Sequence, residues 1–158
     1  MKVEFFDIRD ARRMEEALAI RLRVFVEEQG VPLDLEIDEH DRDDPAARHA
    51  LVRSGVDAVA TGRFYDAGEA TAQIGRMAVL APWRGQGAGA LLLAALTAEA
   101  GRAGFRRARL DAQVHAIGFY HRAGYREDGE RLWDAGILHQ PMSRELGAPG
   151  DAQNEARS

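Results

Sequence analysis

Arg84-Gly85-Gln86-Gly87-Ala88-Gly89 sets three glycines at alternate positions immediately before a run rich in Ala and Leu, a pattern that can hold phosphate. A helix N-terminus leaves its first backbone N–H groups unpaired and carries a partial positive charge, so a glycine loop entering a helix suits a pyrophosphate. Gly85, Gly87 and Gly89 let the backbone close around the phosphates, and the Arg84 guanidinium matches their geometry. No Lys-Ser or Lys-Thr follows the glycines, which excludes a nucleotide triphosphatase loop. Gly85, Gly87 and Ala90 do satisfy the dinucleotide pattern G-x-G-x-x-A, and Asp111 lies about 20 residues on, where a ribose-binding acid belongs. Spacing opposes that reading. Ala81-Pro82-Trp83-Arg84 separate the preceding strand from the glycines, and too little chain follows for the second half of such a sheet.

The loop needs a strand before it and a helix and strand after it. Ala72 to Leu80 is β-prone, Ala88 to Ala100 is built of strong helix formers until Gly101 and Gly104, and Arg107 to Val114 is a further strand. Strand, loop, helix and strand in that order form a crossover unit, which makes the two strands parallel neighbours. Upstream, Val3, Phe5 and Phe6 open a strand. Asp10 then caps a helix with apolar residues at Met14, Leu18, Leu22 and Phe25. Glu27 to Asp44 carries nine carboxylates against the single Arg42, with Gly30 and Pro32, and reads as a loop or irregular connection with room to move. His49 to Arg53 and Val56 to Tyr65 flank the turn dipeptide Ser54-Gly55 as an antiparallel pair. His115 to Ala123 gives a short helix ending at Gly124. Tyr125 to Arg131 and Ile137 to Leu146 are the last expected strands.

At 158 residues and 46% apolar composition the chain is expected to form one domain over 1–146, with 147–158 a small polar tail that frays. Cysteine is absent, so disulfides, thiolate metal sites and a cysteine nucleophile are excluded. The opening MKVEFFDIRD lacks the apolar core of a signal peptide, and the longest uncharged apolar stretch, Gly85 to Ala98, is too short to cross a bilayer. A soluble cytoplasmic protein is therefore expected, with no membrane partner. Net charge is −5 with no dense basic cluster, which disfavours a nucleic-acid partner. Asp38, His40 and Asp41 do not fit a calcium loop, so no metal is expected.

Two motifs in order now make the pattern specific. Arg84-x-x-Gly87-x-Gly89, after the strand Ile74-Gly75-Arg76-Met77-Ala78-Val79-Leu80, resembles the acetyl-CoA motif of GCN5-related N-acetyltransferases. Phe119-Tyr120-His121-Arg122-Ala123-Gly124-Tyr125 resembles that family's Phe-Tyr-x-x-x-Gly-Phe stretch, with Tyr125 in place of the last phenylalanine. Arg23 to Gly30 with Glu36, Asp38 and Asp41, followed by Gly136-Ile137-Leu138-His139, is similar to the ElaA/YjcF-like branch. The similarity runs from about residue 3 to 146. It implies an α/β fold: a mixed, mostly antiparallel sheet whose central parallel strand pair splays for acetyl-CoA, flanked by helices.

The resemblance also implies roles. Met77, Ala78 and Val79 would hydrogen-bond the pantetheine arm through their backbone, a Val79 N–H would meet the thioester oxygen, and Arg84, Gly85, Gln86, Gly87, Ala88, Gly89 and Ala90 would hold the pyrophosphate. Tyr120 would sit by the sulfur as the acid for the departing thiolate; the alternative is that it only packs. An amine with a pKa of about 10 must lose a proton before attack. Candidate bases are Glu28, Glu36, Asp38, Asp41 and His139, of which His139 is favoured by the ordinary imidazole pKa and its place in the branch motif. The acidic segment could instead attract a cationic acceptor such as a polyamine or amino sugar. The expected partners are acetyl-CoA and a small-molecule or peptide amine, and a homodimer through the last strands is possible. Two other readings stay open: a non-catalytic acyl-CoA-binding regulatory module and an acyl-homoserine-lactone synthase.

Overall fold

The crossover unit forms as the loop requires. In the computed structural model, which describes residues 1–147, β4 (Thr71–Val79) leads through a 3₁₀ turn at Ala81–Trp83 into α4 (Ala88–Arg102) and on to β5 (Arg107–Gln113). Around this unit stand β1 (Lys2–Phe6), α1 (Ala11–Arg21), α2 (Leu33–Glu36), α3 (Glu39–Arg42), β2 (Arg48–Ser54), β3 (Asp57–Asp66), α5 (Ile117–Arg122), β6 (Arg126–Glu127), β7 (Leu132–Asp134) and β8 (Ile137–Glu145). The strands form one sheet in the order β1-β2-β3-β4-β5-β8-β6, with β7 also on β8. Every pairing is antiparallel except β4 with β5.

That parallel pairing is short. It joins Thr71–Gln73 to Arg107–Arg109 and then stops, so the later halves of β4 and β5 diverge. A bulge in β4 bends the strand at the same level: Thr61 faces Ala78 and Arg63 faces Gly75, leaving Gly62 opposite both Arg76 and Met77. Arg76 takes the bulge conformation at φ 51°, a region that L residues seldom adopt. Gly62 is needed there, because a Cβ would stand 2.9 Å from Leu96 Cδ1.

Alternation along the strands supplies two cores. Ala50, Val52, Phe64, Ile74, Leu110 and Ala112 pack on one face with Leu92, Leu93 and Leu96 of α4. Each such leucine contributes about 2 kcal/mol of apolar burial. On the other face Leu51 and Ala78 meet Met14, Ala17, Ile20 and Val24 of the first helix. Asp10 caps α1 as expected, accepting from the Arg13 N–H at 3.1 Å.

Several expectations need correction. The first helix runs on through Leu22 and Phe25 as expected, but past Arg21 it does so as π-helix over Leu22–Glu28, where the Gln29 N–H reaches the Val24 carbonyl five residues back. The buried stripe is therefore Met14, Ala17, Ile20 and Val24, while Leu18, Leu22 and Phe25 are half-buried. Only Arg126 and Glu127 of the expected strand Tyr125 to Arg131 pair, and β7, which was not expected, forms further on. The segment Glu27 to Asp44, expected as a loop or irregular connection, is not irregular throughout. It carries α2 and α3, the latter with a capping box between Asp38 and Asp41. The expected tail lies, beyond Gly147, outside the described residues. Among the described residues no helix is long and apolar enough to cross a membrane.

Candidate active site

Where β4 and β5 part, a cavity of about 880 Å³ opens. Met77, Ala78, Val79, Arg84, Gly85, Gly87, Ala88, Gly89, Ala90, Tyr120 and His139 all line it, so residues read from three separate motifs meet at one place. Gln86 is the exception among the expected cofactor residues: its side chain turns back, donating to the Pro82 carbonyl at 2.9 Å. That contact braces the loop rather than the ligand space.

Gly85 and Gly87 have φ values of 77° and 86°, a backbone region that glycine enters without strain. Gly87 is the N-cap of α4 and offers no side chain to the helix, so the first N–H groups of a 15-residue helix face the cavity without a cap. Gly89 differs: a Cβ there would meet Phe119 and Val79 at 3.6 and 3.7 Å, ordinary contact. Arg84 is anchored at the mouth, its Nε donating to the Val79 carbonyl at 2.9 Å and its Nη2 to Glu28 at 2.6 Å.

The β3–β4 ladder fixes where Val79 points. Leu80 N–H donates to the Val59 carbonyl at 3.0 Å, which makes Val59 and Leu80 a hydrogen-bonded pair. Alternation then makes Ala60 and Val79 a non-bonded pair, with the Val79 N–H turned away from β3 toward the cleft.

Tyr120 lies on α5 with its ring edge-on to Phe119 (5.1 Å between centroids) and to Tyr125 (6.4 Å). Burial, with a smaller contribution from Tyr125, pushes its phenol up to about 12. Tyr125, fully buried, places its hydroxyl 2.7 Å from Thr97 Oγ1. The ring that replaces the family phenylalanine thus brings its own hydrogen-bond partner. His139 is paired in register with Gln113 and Leu132. Its Nδ1 lies 2.8 Å from the Ile137 carbonyl, which can only accept, so Nδ1 carries the proton and the neutral ring keeps a lone pair on Nε2. Gln113 donates to Gln29 Oε1 at 3.0 Å, tying β5 to the end of the first helix. Asp111, weighed in sequence as a ribose acid, is an exposed residue of the cavity wall.

The other candidate bases are constrained by cations that sequence reasoning missed. Arg21, Glu36, Arg76, Asp38, Arg63 and Asp41 form a closed ring of alternating charge, each arginine touching two of the carboxylates. Arg21 is 1% exposed and Arg63 3%, both held at 2.6–2.9 Å from their acceptors. Burial pushes the Asp41 carboxyl up, but the hydrogen bonds and charges of Arg21 and Arg63 outweigh it and hold it far below the carboxylate range. Asp41 is therefore corrected from candidate base to structural anion, and Glu36, a residue of the cavity wall, is taken up by Arg21 and Arg76. Asp38 lines the cavity, yet it too is held below its ordinary value: burial raises it and Arg63 more than offsets this. Glu28 is taken up by Arg84. No local signal announces this ring, since its arginines come from α1, β3 and β4, far in sequence from the acids. Among the described residues no three His, Asp or Glu side chains cluster as a metal would require.

Comparison with known proteins agrees with this geometry. The family model described as an acetyltransferase (GNAT) domain matches residues 37–146. The uncharacterized N-acetyltransferase YjcF of Bacillus subtilis is 33% identical over 138 residues, 87% of this chain and 96% of that one. Among solved structures, an acyl-CoA N-acyltransferase from Pseudomonas aeruginosa superposes with a TM-score of 0.81 at 27% identity, over 90% of this chain and 98% of that one. Escherichia coli ElaA gives 0.79 at 25% identity, over 91% and 99%.

Proposed function

Since this chain belongs to the GNAT acetyltransferase family and is an acyltransferase, we propose that it moves an acetyl group from acetyl-CoA to a primary amine of a small molecule or peptide, by direct attack and without a covalent enzyme intermediate. The observation that carries this reading is the cleft itself: two parallel strands diverge beneath an uncapped helix N-terminus, and Tyr120 and His139 line the same space. The glycine loop and the α4 N–H groups suit a pyrophosphate, and the Arg84 guanidinium at the mouth adds positive charge. The structural likeness to the Pseudomonas acyl-CoA N-acyltransferase supports the same class of donor.

The chain's own residues then divide the chemistry. The His139 Nε2 lone pair accepts a proton from the ammonium form of the acceptor, giving the free amine that attacks the thioester carbon. The Val79 N–H donates to the oxygen as negative charge develops on it. As the tetrahedral species collapses, the C–S bond breaks, the Tyr120 hydroxyl gives its proton to the sulfur, and the second proton lost by the attacking nitrogen restores the phenol, so that neutral amide and CoA thiol leave. A phenol held up near 12 is protonated throughout the physiological range, as an acid must be. An amine-panel acetylation assay with free-thiol detection tests the proposal. Acetyl-CoA binding without transfer to any amine would instead establish a regulatory acyl-CoA-binding module.

A further inference from the structure

Glu28, Glu36, Asp38, Asp111 and Asp134 are the carboxylates that line the main cavity. Glu28 meets Arg84, Glu36 meets Arg21 and Arg76, and Asp38 meets Arg63 and Arg76, whereas Asp111 and Asp134 form no ion pair among the described residues. Asp134 belongs to the β7–β8 hairpin, but Asp111 stands where the two parallel strands part. The last paired row is Gln73 with Arg109, so Asp111 is the first residue on that face of β5 beyond it. Alternation turns Ala108, Leu110 and Ala112 toward α4 and puts Arg109, Asp111 and Gln113 on the opposite face, the face of His139. Gly75, two residues past Gln73 on β4, leaves the space across from Asp111 open, since a Cβ there would meet nothing within 4 Å. Tyr65 shares the row of Gln73, and His40 covers one face of its ring at 3.6 Å between centroids. Burial pushes the Tyr65 phenol up, Arg63 and Arg76 oppose this and Asp38 and Asp111 add to it, so the hydroxyl stays protonated. Asp111, Tyr65, Gln73 and Gly75 thus wall a pocket that holds one uncompensated negative charge.

We propose that Asp111 holds a second, non-reacting ammonium of the acceptor, so that α,ω-diamines are preferred over monoamines and ω-amino acids. The inference rests on the acetyl-transfer reading above. His139 lies directly opposite Gln113, which makes Asp111 its diagonal neighbour on the same face, about 7–8 Å away. A diamine with about three to five carbons between its nitrogens spans that interval. One nitrogen loses its proton to His139 and attacks, while the other keeps its charge and pairs with the carboxylate. The attraction for a cation that the sequence suggested for Glu27 to Asp44 falls to β5 instead, because the carboxylates which that segment sends into the cavity are already paired. An acetylated end is neutral, so a product that turned round would bring no charge to Asp111. One acetyl group per diamine follows.

The test is steady-state acetylation by the full-length protein of three acceptors of one length: butylamine, the four-carbon α,ω-diamine and the four-carbon ω-amino acid. The wild type is expected to show a kcat/KM about tenfold or more higher for the diamine than for butylamine, where two equivalent ends alone would give about twofold. The amino acid should fall below butylamine, and monoacetylated diamine should be the main product. Asp111→Asn should bring the diamine preference down to about twofold, with the loss carried by KM, whereas Asp111→Glu keeps the charge and should retain most of it. Asp57→Asn removes the same charge from an exposed strand end outside the cavity and should leave the preference as it is. A wild-type preference of about twofold or less overturns the inference and leaves acetyl transfer standing. So does an Asp111→Asn variant that keeps the preference, or an Asp57→Asn variant that loses as much of it. Bound acetyl-CoA without transfer to any amine of a broad panel overturns the transfer reading and the inference with it.

Discussion

Among the described residues Tyr120 has partners for its ring and none for its hydroxyl, whereas Tyr125 has both, and this division predicts opposite phenotypes. Tyr120→Phe keeps the ring that packs on Phe119 and removes the proton. It is expected to lower kcat by about a hundredfold while the acetyl-CoA Kd changes by less than about twofold, read by thiol release and by direct binding. Because burial holds the phenol near 12, kcat should not fall as pH rises through 10; a fall there that Tyr120→Phe abolishes would contradict the assigned environment. Tyr125→Phe should leave kcat near wild type and cost about 1–2 kcal/mol of stability in denaturant unfolding, because the buried Thr97 hydroxyl loses its partner. A second change, Thr97→Val, should recover part of that loss, since an unpaired buried hydroxyl costs more than none. At this scale the motif residues were legible in the sequence because each lies within a short ordered pattern. Arg21, Arg63 and Arg76 were not, because a buried cation is recognised by its acid, and these acids stand 15 to 40 residues away.

Gly62, beneath α4, and Gly89, in its first turn, separate fold from ligand at the level of the element. Gly62 lets β3 pass under α4, and Gly62→Ala would drive a Cβ to 2.9 Å from Leu96 Cδ1 and 3.1 Å from Met77 Cγ. The expected cost is about 1–3 kcal/mol of overpacking, seen as a lowered denaturant midpoint. Gly89 has no such protein neighbour, its φ is not positive, and its Cβ would make ordinary contacts only. Gly89→Ala should therefore leave the midpoint unchanged, or raise it slightly through helix propensity, while weakening acetyl-CoA binding about tenfold or more by crowding the helix N-terminus. Equal losses of stability in the two variants would show that Gly89 serves packing. β4, α4 and β5 were readable because hydrophobic period, helix formers and glycine stops agree along each. The π-helix, the β4 bulge and β7 were not, because none of them follows from hydrophobic period: the first winds five residues to its hydrogen bond, the second inserts a residue where β4 parts from β5, and the third is a three-residue strand.

Over the whole molecule, charge decides how the chain responds to acid. The ring of three arginines and three carboxylates fixes α2 and α3 to the sheet face opposite α4, and His49 lies beside it with Asp41, Arg63 and Arg21 as charged neighbours. His49 is buried, and its Nε2 donates to the His40 carbonyl at 3.2 Å. Burial lowers its pKa, and the two arginines add to this against the opposing effects of Asp41 and the His40 carbonyl. A folded-state value below the unfolded one of about 6.5 means that the unfolded chain takes up the proton first, so stability present above pH 6.5 declines as pH falls toward the folded value. Asp38 and Asp41 are lowered as well, and what they contribute is intact above about pH 4 and lost as pH falls through their folded values. Two acid limbs are thus expected in a plot of unfolding free energy against pH. His49→Gln should flatten the upper limb and leave the lower one. Arg21→Met should act on both counts at once: it takes from Glu36 and Asp41, which are 3% and 8% exposed, one of the two arginines that each meets, at a cost of about 3 kcal/mol at neutral pH. Since protonation relieves under-compensated buried carboxylates, the deficit of that variant should narrow as pH falls below about 5, the reverse of what loss of a helix contact alone would give.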